Sequence, residues 1–229
     1  MIRMLGIIAG TNPIGEEFEE RIGRKETVRT EYGNVEVFMG RDAIFLPRHG
    51  IAMDTPPHRI NHRANISALK ESGVDGVVCI CSTGSLSPEI PPGMLVVPDD
   101  YINFGMPLTF YDDEIRHIVP ELDEGLRSRI VEASHGKDGG VYVQTHGPRF
   151  ETKAEIRVIR QFADIVGMTL ANEATLCCEA ELPVAALCTV DNYANGVAAQ
   201  EHGLSYEAII ENIERNREMV TDIIRRLIR

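Results

Sequence analysis

The sequence has no basic tract. Lysine and arginine total 23 against 35 aspartates and glutamates, a formal net charge of −12, with a pI near 5.0. A polyanion such as nucleic acid finds no electrostatic footprint here. A small anion needs a local cluster of donors that overcomes the overall field. There is also no apolar run of membrane length. The first residues, Met1-Ile2-Arg3-Met4-Leu5-Gly6-Ile7-Ile8, are too short for a signal peptide or a membrane helix. The five cysteines, Cys79, Cys81, Cys177, Cys178 and Cys188, are an odd number set in apolar runs. They read as reduced core thiols in a cytoplasm rather than a disulfide framework. Cys79 and Cys81 share one face of a strand-like run, but no further ligands stand at usable spacing, which argues against zinc. Repeats, low-complexity segments and linkers are missing too. The 229 residues read as one α/β domain spanning 1–229.

What is present centres on Thr145-His146-Gly147-Pro148-Arg149-Phe150-Glu151-Thr152. The strand-like run 140–145 precedes it and the helix-like run 153–162 follows it. Gly147-Pro148 breaks the strand and turns the chain. A ring, Phe150, and a carboxylate, Glu151, therefore stand side by side at a strand-to-helix corner. Such corners hold ligands in open α/β sheets. The pair suits a flat heterocycle: Phe150 to stack on it, Glu151 to accept from a ring N–H. A bare Gly-Pro turn with Thr152 capping the next helix accounts for the same octapeptide.

Other stretches repeat the motif of a strand ending in small polar residues. The run 4–8 leads into Ala9-Gly10-Thr11-Asn12-Pro13, a loop able to present N–H groups and the Thr11 hydroxyl to a phosphate. It is not a Walker loop, having no Gly-Lys-Thr. Runs 35–39 and 43–46 form a hairpin around Gly40-Arg41-Asp42 and end at Pro47-Arg48-His49-Gly50, where Arg48 is the natural oxyanion contact. Residues 51–60 read as a loop. A helix over 61–72 starts at a candidate N-cap, Asn61. The buried strand 77–81 stops at a Ser82-Thr83-Gly84-Ser85 loop. A strand at 94–97, a patternless excursion over 99–121, a helix over 122–134 and the turn Gly167-Met168-Thr169 opening a helix over 170–180 follow. The strand 184–190 ends in Asp191-Asn192-Tyr193-Ala194-Asn195-Gly196. The helix over 205–227 shows Ile209, Ile213, Val220, Ile223 and Leu227 on one face. In a mainly parallel sheet the ends bearing Thr11, Arg48, Ser82, Phe150, Thr169 and Asn192 converge on one edge.

Gly10-Thr11, Arg48-His49-Gly50, Asn61 to Asn65, Gly84-Ser85-Leu86, Gly147-Pro148-Arg149-Phe150 and Val166-Gly167-Met168-Thr169 with Glu173 together resemble the trimeric purine nucleoside phosphorylase and methylthioadenosine phosphorylase family. The resemblance implies a twisted mixed β-sheet core flanked by helices, a homotrimer, and phosphate attack on the anomeric carbon of a purine nucleoside. Inorganic phosphate is then a co-substrate, with no metal and no organic cofactor. It implies that Thr11, Arg48, His49, Ser82 and Thr169 hold phosphate and that Met168 lies under the ribose. Phe150, Glu151, Asn192, Tyr193 and Ala194 face the purine, and Tyr206 and Ile209 face the 5′ group. His117 reaches a neighbouring subunit's site. Arg48, His49, Thr169 and Asn192 carry the catalysis.

Adenine-specific members of that family have a small hydroxyl residue at the place of Glu151 and aspartates at those of Asn192 and Ala194. Members using 6-oxopurines have Glu and Asn at the first two. The chemistry agrees: a carboxylate accepts the N1–H of a 6-oxopurine and repels the N1 lone pair of adenine. At the 5′ end, Tyr206 and Ile209 suit a methylthio group, with His202 nearby. These readings expect phosphorolysis of 5′-methylthioinosine in purine salvage. Inosine or guanosine phosphorolysis and methylthioadenosine phosphorolysis stay open. So do a water-using hydrolase of similar fold and a non-catalytic purine-binding protein.

Overall fold

The computed structural model describes residues 3–10, 23–106, 108–198 and 206–228, with the backbone only at 206 and 208. Among these residues eleven strands form one mixed sheet. Its central strand is β5 (Gly76–Ser85), long enough to serve different partners along one edge. On that edge β1 (Leu5–Ala9) runs parallel to residues 76–80, and β10 (Ile165–Gly167) runs antiparallel against Gly84 and Ser85. On the other edge lies β11 (Val184–Tyr193), parallel to β5 almost throughout.

Beyond β1 the sheet continues through β4 (Ala43–Pro47), β3 (Gly33–Met39) and β2 (Arg24–Thr30). Beyond β10 come β9 (Val141–Gln144) and β7 (Asp100–Asn103); beyond β11 come β6 (Leu95–Val97) and β8 (Lys137–Asp138). The mixed sheet that the resemblance implied is therefore borne out. Two parallel blocks meet antiparallel at the β5–β10 seam. The expected 82–85 loop is also strand, since β5 carries its pairing through Ser85.

The central strands are apolar on both faces, so both are covered. Helices α1 (His62–Glu71) and α4 (Leu170–Glu179) pack on the face bearing Cys79, Cys81, Ala186 and Cys188. Helices α2 (Glu124–Ser134) and α5 (Tyr206–Leu227) cover the face bearing Val78, Ile80, Ala185 and Leu187. The short α3 (Lys153–Ile159) closes a third cluster with Val143, Val166 and Ala194. The caps follow the sequence: Asn61 accepts from the Ala64 N–H, and Thr152 with Glu155 makes a capping box. All five cysteines are free thiols, and only Cys178 is more than marginally exposed. No described helix is long and apolar enough to cross a membrane.

Candidate active site

Strand β1 ends beside Ile80, and β10, arriving from the opposite direction, first meets β5 at Ser85 and Gly84. Residues 81–83 between them have no backbone partner on that edge among the described residues. A cavity of about 390 Å³ opens over this gap. The seam gathers strand ends that a parallel sheet would have set side by side. Arg48, His49, Ser82, Phe150, Glu151, Met168, Thr169, Asn192, Ala194 and Ile209 all line the one cavity.

At one end Arg48 is buried. Its Nε and Nη2 donate to the two Glu173 oxygens at 2.5 and 2.6 Å, and Nη1 donates to the Ile80 carbonyl at 3.0 Å. This corrects the expectation of a free bidentate oxyanion fork, because that face of the guanidinium is spent on Glu173. One Nη1 hydrogen is left for the cavity. Burial alone would lower the Arg48 pKa and raise that of Glu173. Their mutual attraction outweighs it, so Arg48 moves up and Glu173 down. The pair stays ionised and nearly neutral overall. The chain approaches so closely here that a Cβ on Gly10 would lie 2.8 Å from Arg48 Nη1.

His49 Nδ1 sits 2.7 Å from the Thr55 carbonyl. A carbonyl only accepts, so Nδ1 carries the proton and a neutral His49 offers its Nε2 lone pair. Burial pulls the His49 pKa below its ordinary value, against the Thr55 bond and reinforced by Arg48. Thr169 is the residue before α4 and lines the same end of the cavity. Its hydroxyl makes no capping bond; the buried Tyr142 phenol accepts from the Thr169 and Leu170 N–H groups instead, at 3.2 and 3.4 Å. Ser82 was expected to help hold phosphate. Its hydroxyl hydrogen goes to Asp191 at 2.5 Å, leaving lone pairs for a ligand.

The other end is built on the Gly147–Phe150 corner. Gly147 has φ +60°, and a Cβ there would meet Met168 Sδ at 2.6 Å. The Phe150 ring remains 38% exposed beside the cavity, and Glu151 is buried with Thr145 Oγ1 donating to one carboxylate oxygen at 2.6 Å. A bulge between Val190 and Asn192 shifts the register of β11. Asn192 and Ala194 then line the cavity, while the Tyr193 hydroxyl donates to the Pro88 carbonyl at 3.4 Å outside it. Tyr193, expected to face the purine, thus does not line the cavity.

His117 is exposed in an irregular segment and does not line the cavity. Thr11, His202 and the Tyr206 side chain lie outside the described residues. Sequence reasoning missed the cavity wall formed by Met53, Asp54 and Thr55 and by Ile213. It also missed Asp191 and the buried His62, which stands 3.8 Å from Glu173. Ile213 alone carried a signal, its place one turn beyond Ile209 on the apolar face.

The phosphorylase superfamily family model matches residues 5–229. A protein of Archaeoglobus fulgidus named "Probable 6-oxopurine nucleoside phosphorylase" is 42% identical over 232 residues, covering 96% of this chain and 94% of its own. A protein of Methanocaldococcus jannaschii named "Probable S-methyl-5'-thioinosine phosphorylase" is 38% identical, covering 96% and 90%. Among solved structures, a methylthioadenosine phosphorylase from an antarctic soil metagenomic library superposes with a TM-score of 0.86 at 28% identity, over 97% of this chain and 84% of its own. The match of the family model from β1 to the end of α5, over a cavity built at a two-block seam, means that this chain belongs to the phosphorylase superfamily.

Proposed function

We propose that this enzyme catalyses phosphorolysis of a 6-oxopurine nucleoside, with 5′-methylthioinosine its first substrate, giving hypoxanthine and 5-methylthioribose 1-phosphate. The observation that carries the reading is the cavity itself: donors suited to an anion at one end, a ring and a carboxylate suited to a 6-oxopurine at the other. Phosphate sits at the α4 N-terminus against Thr169, the remaining Arg48 N–H and His49, with Thr11 from the loop after β1. As the glycosidic bond lengthens, the charge of the bound phosphate stabilises the ribosyl cation and delivers the nucleophile. Met168 lies under the sugar. Phe150 stacks on the base, Glu151 accepts from N1–H, and Asn192 bridges O6 and the protonated N7 of the leaving base. Ala194 leaves no second carboxylate to recognise an amino group.

Ile209 and Ile213 give the 5′ end an apolar wall, which favours methylthio; inosine or guanosine is the second reading, favoured by the name of the Archaeoglobus relative. The working assembly is a homotrimer in which exposed apolar side chains such as Phe104, Met106, Ile115 and Val119 find cover, and His117 reaches a neighbouring site. Free thiols suit a cytoplasmic setting. The reaction needs phosphate and no other cofactor. Phosphorolysis rates on methylthioinosine, methylthioadenosine, inosine and guanosine, measured side by side, test the reading. A 6-oxopurine preference of about tenfold to several hundredfold is expected, since an adenine leaves one buried polar group unpaired. Faster cleavage of methylthioadenosine than of methylthioinosine overturns it.

A further inference from the structure

Asp191 stands in the bulge of β11, fully buried, between the floor of the cavity and helix α5. Its Oδ2 accepts from Ser82 Oγ at 2.5 Å and from Thr189 Oγ1 at 2.8 Å; its Oδ1 accepts from Asn216 Nδ2 at 3.1 Å. Its backbone carbonyl takes a further bond from Asn212 Nδ2 at 2.7 Å. All side-chain partners donate, the pattern of an ionised carboxylate. No Lys, Arg or His pairs with it among the described residues. Burial raises its pKa, with the three donors opposing. A buried charge held only by hydrogen bonds is costly to keep, and the phosphorolytic step described above gives it no part.

Its connections explain it. Ser82 lies one residue past Cys81, whose sulfur contacts Arg48, and two before Gly84, which packs against Asn192. It is thus the floor between the anion end and the base end. Asn212 and Asn216 are one turn apart on α5, on the row beside Ile209 and Ile213, which line the cavity. We propose that Asp191 is a positioning residue of the active site, fixing the Ser82 hydroxyl on the floor and seating the Ile209–Ile213 wall of α5 against it. The inference rests on the phosphorolysis reading for its substrates, while its geometry is independent of that reading.

The test is a swap. In Asp191→Asn one acceptor oxygen becomes a donor, which must face Asn216 or the two hydroxyls. Adding Asn216→Asp restores every donor–acceptor match with the charge moved to the helix. The first change is expected to lower kcat/KM about tenfold to a hundredfold, and the second to bring it back within a few-fold. Ser82→Ala combined with Asp191→Asn should cost no more than the worse single change. Thermal midpoints with and without inorganic phosphate are read in parallel. The phosphate-induced rise should shrink in Asp191→Asn and return in the swap, a readout that survives if the wild-type protein cleaves none of the nucleosides. Three results overturn the proposal: kcat/KM within twofold in Asp191→Asn, a swap that recovers the midpoint but not kcat/KM or the phosphate response, or Ser82 and Asp191 costs that multiply. If neither Asp191 variant folds, Asn216→Ala reads the link from the helix. A several-fold fall in kcat/KM is expected there, and an unchanged value overturns the proposal.

Discussion

Two arginine–glutamate pairs in this molecule are each joined by two N–H···O bonds and differ in their setting. Arg48 and Glu173 meet with side chains 2% and 0% exposed, 125 residues apart in the chain. Arg149 and Glu155 meet with side chains 65% and 45% exposed, six residues apart, also through two N–H···O bonds at 2.8 and 2.9 Å. In water the second pair competes with hydration and side-chain entropy, so its bonds are nearly free to break. In the core the first is shielded from water, and no second ion pair to Arg48 stands among the described residues. The pair lies at the cavity, where Glu173 keeps the buried arginine ionised and fixed. The carboxylate stabilises the charge and uses up the side of the guanidinium that would have gripped phosphate.

The sharpest way to break the comparison is Glu173→Ala. It leaves Arg48 charged and unpaired in the core, a loss of about 3–5 kcal/mol. The thermal midpoint should fall by several degrees, and phosphorolysis should fall with it because the Arg48 fork loses its seat. A Glu173→Ala protein with wild-type midpoint and wild-type phosphate KM would mean that the pair is no different in kind from the exposed one.

Stability and function separate in a double change. Arg48→Met with Glu173→Met removes both charges at similar volume, which is often neutral or stabilising for a buried pair. The midpoint should return to near the wild-type value. On the proposed reading of Arg48 as the contact orienting the nucleophile, turnover should stay about two orders of magnitude down and respond weakly to phosphate. Recovery of activity along with the fold would show that Arg48 serves the core alone.

The buried pair also has a titrating neighbour. His62, at the start of α1, has no hydrogen-bond partner for its Nδ1 among the described residues and is pushed down to about 4 by burial, with the Glu173 charge opposing. The folded state binds its proton at lower pH than the unfolded chain does. Its contribution is therefore complete above the ordinary histidine value of about 6.5 and is lost as pH falls from there toward 4, by up to about 3 kcal/mol. Glu173, shifted down by Arg48 against its own burial, likewise stabilises above the ordinary carboxylate range and lets go below it. Denaturant titrations at pH 7 and pH 5 should show the loss, and His62→Asn should flatten it. An equal pH 5 loss in that variant would assign the acid sensitivity elsewhere.

The difference between the two pairs also marks what was legible in the sequence. Arg149 and Glu155 flank a readable corner: Gly-Pro, then Thr152 as a cap three residues before Glu155. Arg48 could be flagged as a strand-end arginine, and Glu173 belonged to the family pattern, but nothing local tells that they meet. That contact is made by the sheet. The apolar runs gave β1, β4, β5 and β11 because strands buried on both faces are continuous in hydrophobicity. β2 was missed because Arg24–Thr30 carries one large apolar residue in seven, as an edge strand does. β7 hid in the excursion over 99–121 because its four residues are too few to show a period. The ends of β5 and β11 read as loops because residues facing a cavity are small and polar even where their backbone still pairs.

The smallest effect is expected at the exposed pair, and there the two partners should differ. Glu155 also accepts from the Thr152 N–H at 2.7 Å while its own N–H donates to Thr152 Oγ1 at 3.2 Å, so it closes the capping box of α3. Arg149 adds only the ion pair and a bond to the Phe150 carbonyl at 3.0 Å. Arg149 holds the Glu155 carboxyl down to about 2, with the Thr152 N–H adding to it. Stability from that shift would be present above the ordinary carboxylate range and lost only as pH falls toward 2. Salt screens the ion pair and barely touches the short cap. Arg149→Ala should therefore leave the midpoint unmoved within about 1 °C, and Glu155→Ala should lower it by a few degrees at most, the same in low and high salt. Equal losses for the two variants, shrinking together with added salt, would put the ion pair ahead of the cap and bring the exposed pair closer to the buried one than its solvation allows.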